Sequence, residues 1–202
     1  MHATTRMSGE ERRVQILEAA LDEFAEHGFN GARTKDMAQR AGISETLIFR
    51  HFKNKQELYQ AALAHLYHGH PLHEDMRGPL EREADEELFL AVALHMIEHV
   101  EKDPRIVRLH LFQALESQSV SMAHHAHEDQ SEEVLARYIK HRMDKGVFKQ
   151  GDAVLAARSF HYLVFMAVAD KQMGLMGEPL DLDGKALASQ LCTVFLHGLA
   201  AE

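Results

Sequence analysis

The residues predict an all-α protein, with a three-helix helix-turn-helix domain at the N-terminus followed by a larger helical bundle, about nine helices in all. Three observations carry this prediction. Four prolines and twelve glycines in 202 residues are few for a β-rich fold, and the abundant Ala, Leu, Glu and Met favour helices. Apolar residues recur at helical rather than strand spacing throughout. Finally, AGISETLIFRHFKNKQEL, residues 41–58, ends one helix, starts a second and stops it again within about two turns.

Taken in order, Ser8-Gly-Glu-Glu11 forms a capping box, and Ile16, Leu17, Ala20, Leu21 and Phe24 set the apolar stripe of a first helix that Gly28 ends. A second helix is expected over 34–41 and a third over 45–51. A fourth runs from the Asn54-x-x-Glu57 box to about His68. Residues 70–83, with Pro71, Gly78 and Pro79, read as a loop. Helices are then expected at about 85–101, 104–117, 119–145, 153–174 and 184–200. Asp103-Pro104, Gly146, Gly151-Asp152 and Gly177-Glu-Pro179 punctuate them.

Charge is divided unevenly. Residues 1–55 hold nine Lys and Arg against eight Asp and Glu, while the remainder hold 13 against 23, within a net charge of −9. Residues 33–55 alone carry six cations (Arg33, Lys35, Arg40, Arg50, Lys53, Lys55) against Asp36 and Glu45. A basic patch on an acidic chain fits either a polyanion partner or an ordinary solvated surface. The single Cys192 excludes an internal disulfide and suits a reducing compartment. The N-terminus shows no apolar run, and the most apolar stretch, 153–169, reads as too short to span a bilayer. A cytoplasmic protein with no membrane partner is expected.

The tight turn has a physical reason at each step. Ala38 lets two helices cross closely, Gly42 supplies the left-handed residue that closes the second helix, and Ser44 is placed to cap the third. Ile43, Ile48 and Phe52 turn inward, leaving Thr46, Leu47 and Arg50 outward. A helix so short, displayed so firmly, is suited to a DNA major groove.

The stretch from Val14 to Leu63 resembles the DNA-binding domain of TetR-family transcriptional regulators. It carries A-x-x-x-F-x-x-x-G-F (Ala20 to Phe29), A-x-x-A-G-I-S (Ala38 to Ser44), F-x-H-F-x-x-K (Phe49 to Lys55) and Leu58. Beyond residue 70 only helix number and length agree. The resemblance implies that His51 and Lys55 hold phosphates, that Thr46 and Leu47 meet base edges, and that Arg50 reaches either. Phe49 fills a slot often held by Tyr and is left with packing or a thymine methyl. Arg33 stands where a Ser or Thr commonly caps the second helix, so either Thr34 caps one residue late or Arg33 itself reaches the backbone. With Lys35 and Ser44 these residues form the expected DNA-binding set. The helix-turn-helix domain is taken as 1–55, with helix 55–69 connecting it to a ligand-binding and dimerisation domain, 56–202.

The last two helices are apolar nearly all round, which demands partners on two sides. In the resembling family they build a dimer interface, here assigned to Phe160, Leu163, Leu187, Leu191, Val194, Phe195 and Leu199, against burial within one monomer. Phe89, Met96, Phe112, Met122 and Phe160 suit a core or an effector pocket, with His95, His99, Gln113 and His161 as polar handles. Arg105 and Arg108 are read as facing away, so the pocket should take an uncharged or cationic, apolar or aromatic molecule. His95 with His99, and His124-His125-x-His127, have spacing for a metal but no fourth ligand, so no metal and no cofactor is expected. The prediction is a homodimeric repressor that binds a palindromic operator in double-stranded DNA and is released by a small-molecule effector. The alternatives are a DNA-bound adaptor whose larger domain binds a protein, and an enzyme built on 124–129. No nucleophile–base pair, phosphate loop or zinc signature supports the enzyme.

Overall fold

The computed structural model describes residues 7–67, 72–116, 130–178 and 180–200. Among them lie ten helices: α1 (Gly9–Gly31), α2 (Thr34–Arg40), α3 (Glu45–His51), α4 (Lys55–Leu66), α5 (Leu72–Arg82), α6 (Asp85–Lys102), α7 (Arg105–Leu115), α8 (Gln130–Asp144), α9 (Ala153–Met173) and α10 (Gly184–Leu199). They form two compact units. The first takes Met1–Gly69 with Arg105–His124, and the second His70–Pro104 with His125–Glu202. The helix-turn-helix expected within 1–55 therefore shares its packing unit with α4 and α7.

In the first unit, Ile16, Leu17, Ala20, Leu21 and Phe24 of α1 meet Met37, Ala38, Ile48, Phe52, Leu58, Tyr59, Ala62 and Leu109 in one core. Ser8 caps α1 through the reciprocal capping box, with Glu11 N–H donating to Ser8 Oγ and Ser8 N–H to Glu11 Oε2. Gly28 breaks the helix with φ 68° and ψ 179°, a backbone that suits glycine. The break releases the N–H groups of Phe29 and Asn30, and both donate to the Glu116 carboxylate at 2.7 and 3.1 Å. A Cβ on Gly28 would lie 2.7 Å from Phe112 and from Glu116. Helix α7 is tied to α1 further along, where Arg105 bridges Glu18 (2.8 Å) and Asp22 (2.7 Å), and Arg108 donates to the Ala25 carbonyl at 2.7 Å.

The second unit holds α5, α6, α8, α9 and α10. Its centre is an aromatic cluster in which Phe89 meets Phe160 edge-on at 4.9 Å, with Phe195 5.5 Å from Phe89 and 5.0 Å from Phe160. Residues 72–82, expected as loop, are helical despite Gly78-Pro79. Pro79 removes one N–H, a real cost, but the turn buries Met76 and packs α5 on α6. Helix α9 is 21 residues, long and apolar enough to cross a membrane, where the shorter 153–169 stretch was expected to be too short. One face of it (Ala157, Phe160, Val164, Val168) is nonetheless buried in the unit's core.

Two residues expected at the dimer interface are buried within the monomer instead. Phe160 and Leu187 are spent on the core of their own unit, with no surface left for a partner. Leu163, Leu191, Phe195 and Leu199 are half-buried, and Val194 is 69% exposed. The apolar surface left open on α9 includes Val154 and, at seven-, four- and seven-residue steps along one side of the helix, Leu155, Tyr162, Met166 and Met173.

Where α5 turns into α6, Glu83 adopts φ 52° and accepts from His141 at 3.0 Å, Arg142 at 2.8 Å and Lys145. These partners, Lys145 foremost and then His141, hold its carboxyl at about 2, below the usual 4.5. A depressed carboxyl stabilises the fold above its unfolded value and loses that contribution as pH falls towards the folded one. Glu83→Gln should therefore unfold at lower urea than the wild type at pH 6. The gap should narrow steadily below about pH 4.5, and equal gaps at pH 6 and pH 3 would remove the carboxylate from the account.

Candidate nucleic-acid interface

Helix α1 positions the two short helices after it. Gln15 donates to the Ala41 carbonyl at the end of α2, 2.9 Å away. Arg13 lies over the Phe52 ring at 4.5 Å, where α3 ends. Glu23, a fully buried carboxylate, receives Arg40 Nε at 3.3 Å and the Arg33 N–H at 3.4 Å, so it holds both ends of α2. Gly42, at φ 61°, lets Ile43 N–H reach back to the Ala38 carbonyl at 3.0 Å, closing α2 and turning the chain towards α3.

On α3, Ile48 is fully buried with Phe52 behind it, and Ile43 packs against the same core. Glu45, Thr46, Phe49 and Arg50 are exposed, and at 100° per residue they span an arc of roughly 140°. Phe49 is 45% exposed, an open aromatic face beside Arg50. Arg33, Lys35 and Lys53 are exposed nearby in the chain. Thr46 and Arg50 thus stand where the sequence places them, Phe49, left open between packing and a thymine methyl, is exposed, and Leu47 is half-buried against the expectation of a fully outward side chain.

Two expected caps are not made by side chains, and Lys55 finds partners within its own domain. Ser44 occupies the N-cap position of α3, yet its side chain makes no cap hydrogen bond. Neither Arg33 nor Thr34 caps α2 through its side chain; Thr34 Oγ1 donates across the turn to Glu45 Oε1 at 2.5 Å. Lys55 is folded into the domain, its ammonium donating to the Ala32 carbonyl at 3.0 Å and lying 4.6 Å over the Phe29 ring. Burial lowers its pKa, with Glu116 acting in the opposite sense. His51 is half-buried beside Phe52. Glu23 and Glu45 were missed as candidates. Glu23 falls on the apolar stripe Ile16–Ala20–Phe24, the signal of a buried charge; Glu45 projects onto the same exposed side as Phe49.

The expected effector residues do not assemble into one site. Phe112 and Gln113 belong to the first unit, where the Gln113 side chain shares a hydrogen bond with Tyr59, whose hydroxyl burial pushes up to about 12. Phe89 and Phe160 are closed within the aromatic cluster and touch no space wide enough for water. His95, Met96, His99 and His161 are half-buried in the second unit. The His95 and His99 rings are 4.3 Å apart, and the His161 ring bonds the Ala157 carbonyl at 2.9 Å. Met122 and His124–His127 lie outside the described residues. Arg105 and Arg108 are engaged on α1.

Residues 16–62 match the family described as bacterial regulatory proteins, tetR family. Over 191 residues the chain is 24% identical to the uncharacterized HTH-type transcriptional regulator YvkB of Bacillus subtilis, covering 93% of this chain and 97% of that protein. It is 41% identical over 58 residues to the HTH-type transcriptional activator FasR of Mycolicibacterium smegmatis, 29% of this chain and 26% of FasR. The solved structure of HlyIIR, a hemolysin II transcriptional regulator, matches with a TM-score of 0.70 at 18% identity, covering 96% of this chain and 100% of that one, a likeness of fold. These relatives are DNA-binding transcriptional regulators rather than enzymes.

The geometry separates two lysines. Lys35→Ala should flatten the dependence of log affinity on log salt by about one unit, because an exposed cation is removed from the phosphate field. Lys55→Met should leave that slope alone and instead lower unfolding stability by about 1 kcal/mol, the worth of one hydrogen bond and its ring contact. Filter binding between 50 and 200 mM salt, with urea unfolding alongside, reads both. A slope change at Lys55 equal to that at Lys35 would return it to the phosphate set.

Proposed function

We propose that this chain, whose residues 16–62 match the tetR family of bacterial regulatory proteins, is a cytoplasmic, homodimeric repressor of a palindromic operator in double-stranded DNA, released by a small, largely apolar effector. The observation that carries the DNA reading is the exposed arc of α3, fixed from behind by Ile48 and Phe52 and flanked by Arg33, Lys35 and Lys53. Thr46, Phe49 and Arg50 meet base edges, while Lys35, Lys53, Arg33 and His51 take phosphates. Phosphate contacts position the domain and base contacts choose the site.

Two such helices must stand about 34–36 Å apart to enter successive major grooves, which calls for a two-fold dimer. The open apolar side of α9, with Leu155 63% and Tyr162 62% exposed, together with Val194 of α10, supports that contact. Tyr162→Glu and Val194→Glu should each give monomers in sedimentation with helical content retained, since both side chains stand outside the monomer's core. A wild-type chain that is already monomeric at micromolar concentration would end the dimer reading.

The effector reading rests on the half-buried His95, Met96, His99 and His161 of α6 and α9. Helix α6 continues into α7 through Asp103-Pro104 alone, and α7 is held to α1 by Arg105, Arg108 and Glu116. An effector that shifts α6 therefore acts on the helix that carries α2 and α3, and DNA affinity falls by the difference in effector affinity between the two states. Uncharged or cationic apolar compounds should release operator DNA from the complex while sugar phosphates do not. Release by the phosphorylated set alone would reverse the assignment, and release by neither would favour the adaptor, whose larger domain binds a protein.

A further inference from the structure

We propose that Glu45 is a specificity-determining residue that reads a cytosine in each half-site, with Thr34 as the residue that positions it; this rests on the DNA-binding reading above. Glu45 opens α3 and is exposed on the same arc as Thr46, Phe49 and Arg50. Its carboxylate receives the Thr34 hydroxyl at 2.5 Å, a bond from the first residue of α2 to the first residue of α3. That bond ties a side chain with three rotatable torsions to the preceding helix, so the carboxylate enters a groove already oriented.

The charge makes the position informative. Six cations surround it in sequence, yet among the described residues Glu45 forms no ion pair. Arg40 is committed to Glu23 and Glu26, and Lys55 to the Ala32 carbonyl. Duplex DNA carries one negative charge per roughly 1.7 Å of axis, so an unneutralised carboxylate on the reading surface weakens binding to every sequence unless the groove offers it a donor. An ionised carboxylate only accepts hydrogen bonds. In the major groove the exocyclic amines are cytosine N4 and adenine N6. Adenine sets its N7 acceptor beside that amine, opposed to the second carboxylate oxygen, whereas cytosine presents the amine without an adjacent acceptor. Guanine O6 and N7 and thymine O4 repel the group outright. The carboxylate therefore selects by exclusion as much as by attraction.

The test is selection from a duplex library with a randomised core, using the full chain, Glu45→Gln, Glu45→Ala, Thr34→Val and Thr34→Ser. Wild type should enrich a two-fold symmetric site with one C·G column per half-site. Glu45→Ala should lose that column's preference, on the order of tenfold between bases, keep the other columns, and bind random-sequence DNA more tightly at low salt. Glu45→Gln should move the same column towards adenine, whose N6 and N7 suit an amide. Thr34→Val should weaken that one column and Thr34→Ser restore it, a pattern that general loosening of the domain would not produce. An unchanged set of columns in Glu45→Ala overturns the proposal while leaving DNA binding intact. A wild-type chain that enriches no sequence overturns the DNA reading together with it.

Discussion

One buried carboxylate organises the reading module. Glu23 sits among Ile16, Ala20 and Phe24 on α1, where an unpaired charge would be costly. It is stabilised chiefly because α2 brings it Arg40 from one end and the Arg33 N–H from the other, with His27 of α1 lying 3.8 Å from the same carboxylate. A seven-residue helix has little stability of its own, so α2 exists in this orientation because α1 neutralises it there. Helix α3 inherits its place from α2 through Gly42 and the Thr34–Glu45 bond. The exposed arc is thus set two helices back from its own residues, and a change on α1 that never meets a ligand would still disturb it.

The second organising contact is made by α7. Glu116, just past its last residue, takes the two N–H groups that Gly28 sets loose, and its Arg105 and Arg108 hold the preceding turns of α1. The kink at Gly28 would otherwise leave two donors unsatisfied next to the core aromatics Phe24, Phe29 and Tyr59. Lys55 meets the Phe29 ring from α4, so the corner is closed by a cation on one side and an anion on the other.

Local chemistry was legible in the sequence wherever the partner lay within a few residues. The Ser8 box, Gly42 and the inward Ile48 and Phe52 all appear in the structure as read, while Gly28, expected to end α1, instead kinks it before its last residue, Gly31. At Asn54 only half the box forms: Glu57 N–H donates to Asn54 Oδ1, but the Glu57 carboxylate takes Lys53 N–H. The misses share a cause, a partner distant in sequence. Gly78-Pro79 punctuates a turn by propensity, yet burial of Met76 keeps α5 helical. Phe160 looked surplus to one core because the ring cluster it joins draws on α6 and α10 together, and Leu187 is buried within the same unit. Lys55 matched a phosphate-binding position, and only the fold shows Ala32 beneath its ammonium. The candidate effector residues on α6, α7 and α9 share only their residue types, and nothing in their spacing reveals that α7 packs in the other unit.

That assignment of α7 has a consequence for how such proteins exchange parts. The chain enters the second unit after residue 69, leaves it at 105 and re-enters it at 125. A recombination joint at residue 69 would therefore transplant α1 to α4 without the helix that supplies Leu109, Arg105 and Glu116. The graft would arrive with an open apolar seat and two orphaned amides. A new DNA specificity can be acquired intact only by changing α3 alone, or by moving α1 to α4 and α7 as a matched pair. The interleaved path makes gradual drift on the reading helix an easier evolutionary route than wholesale exchange.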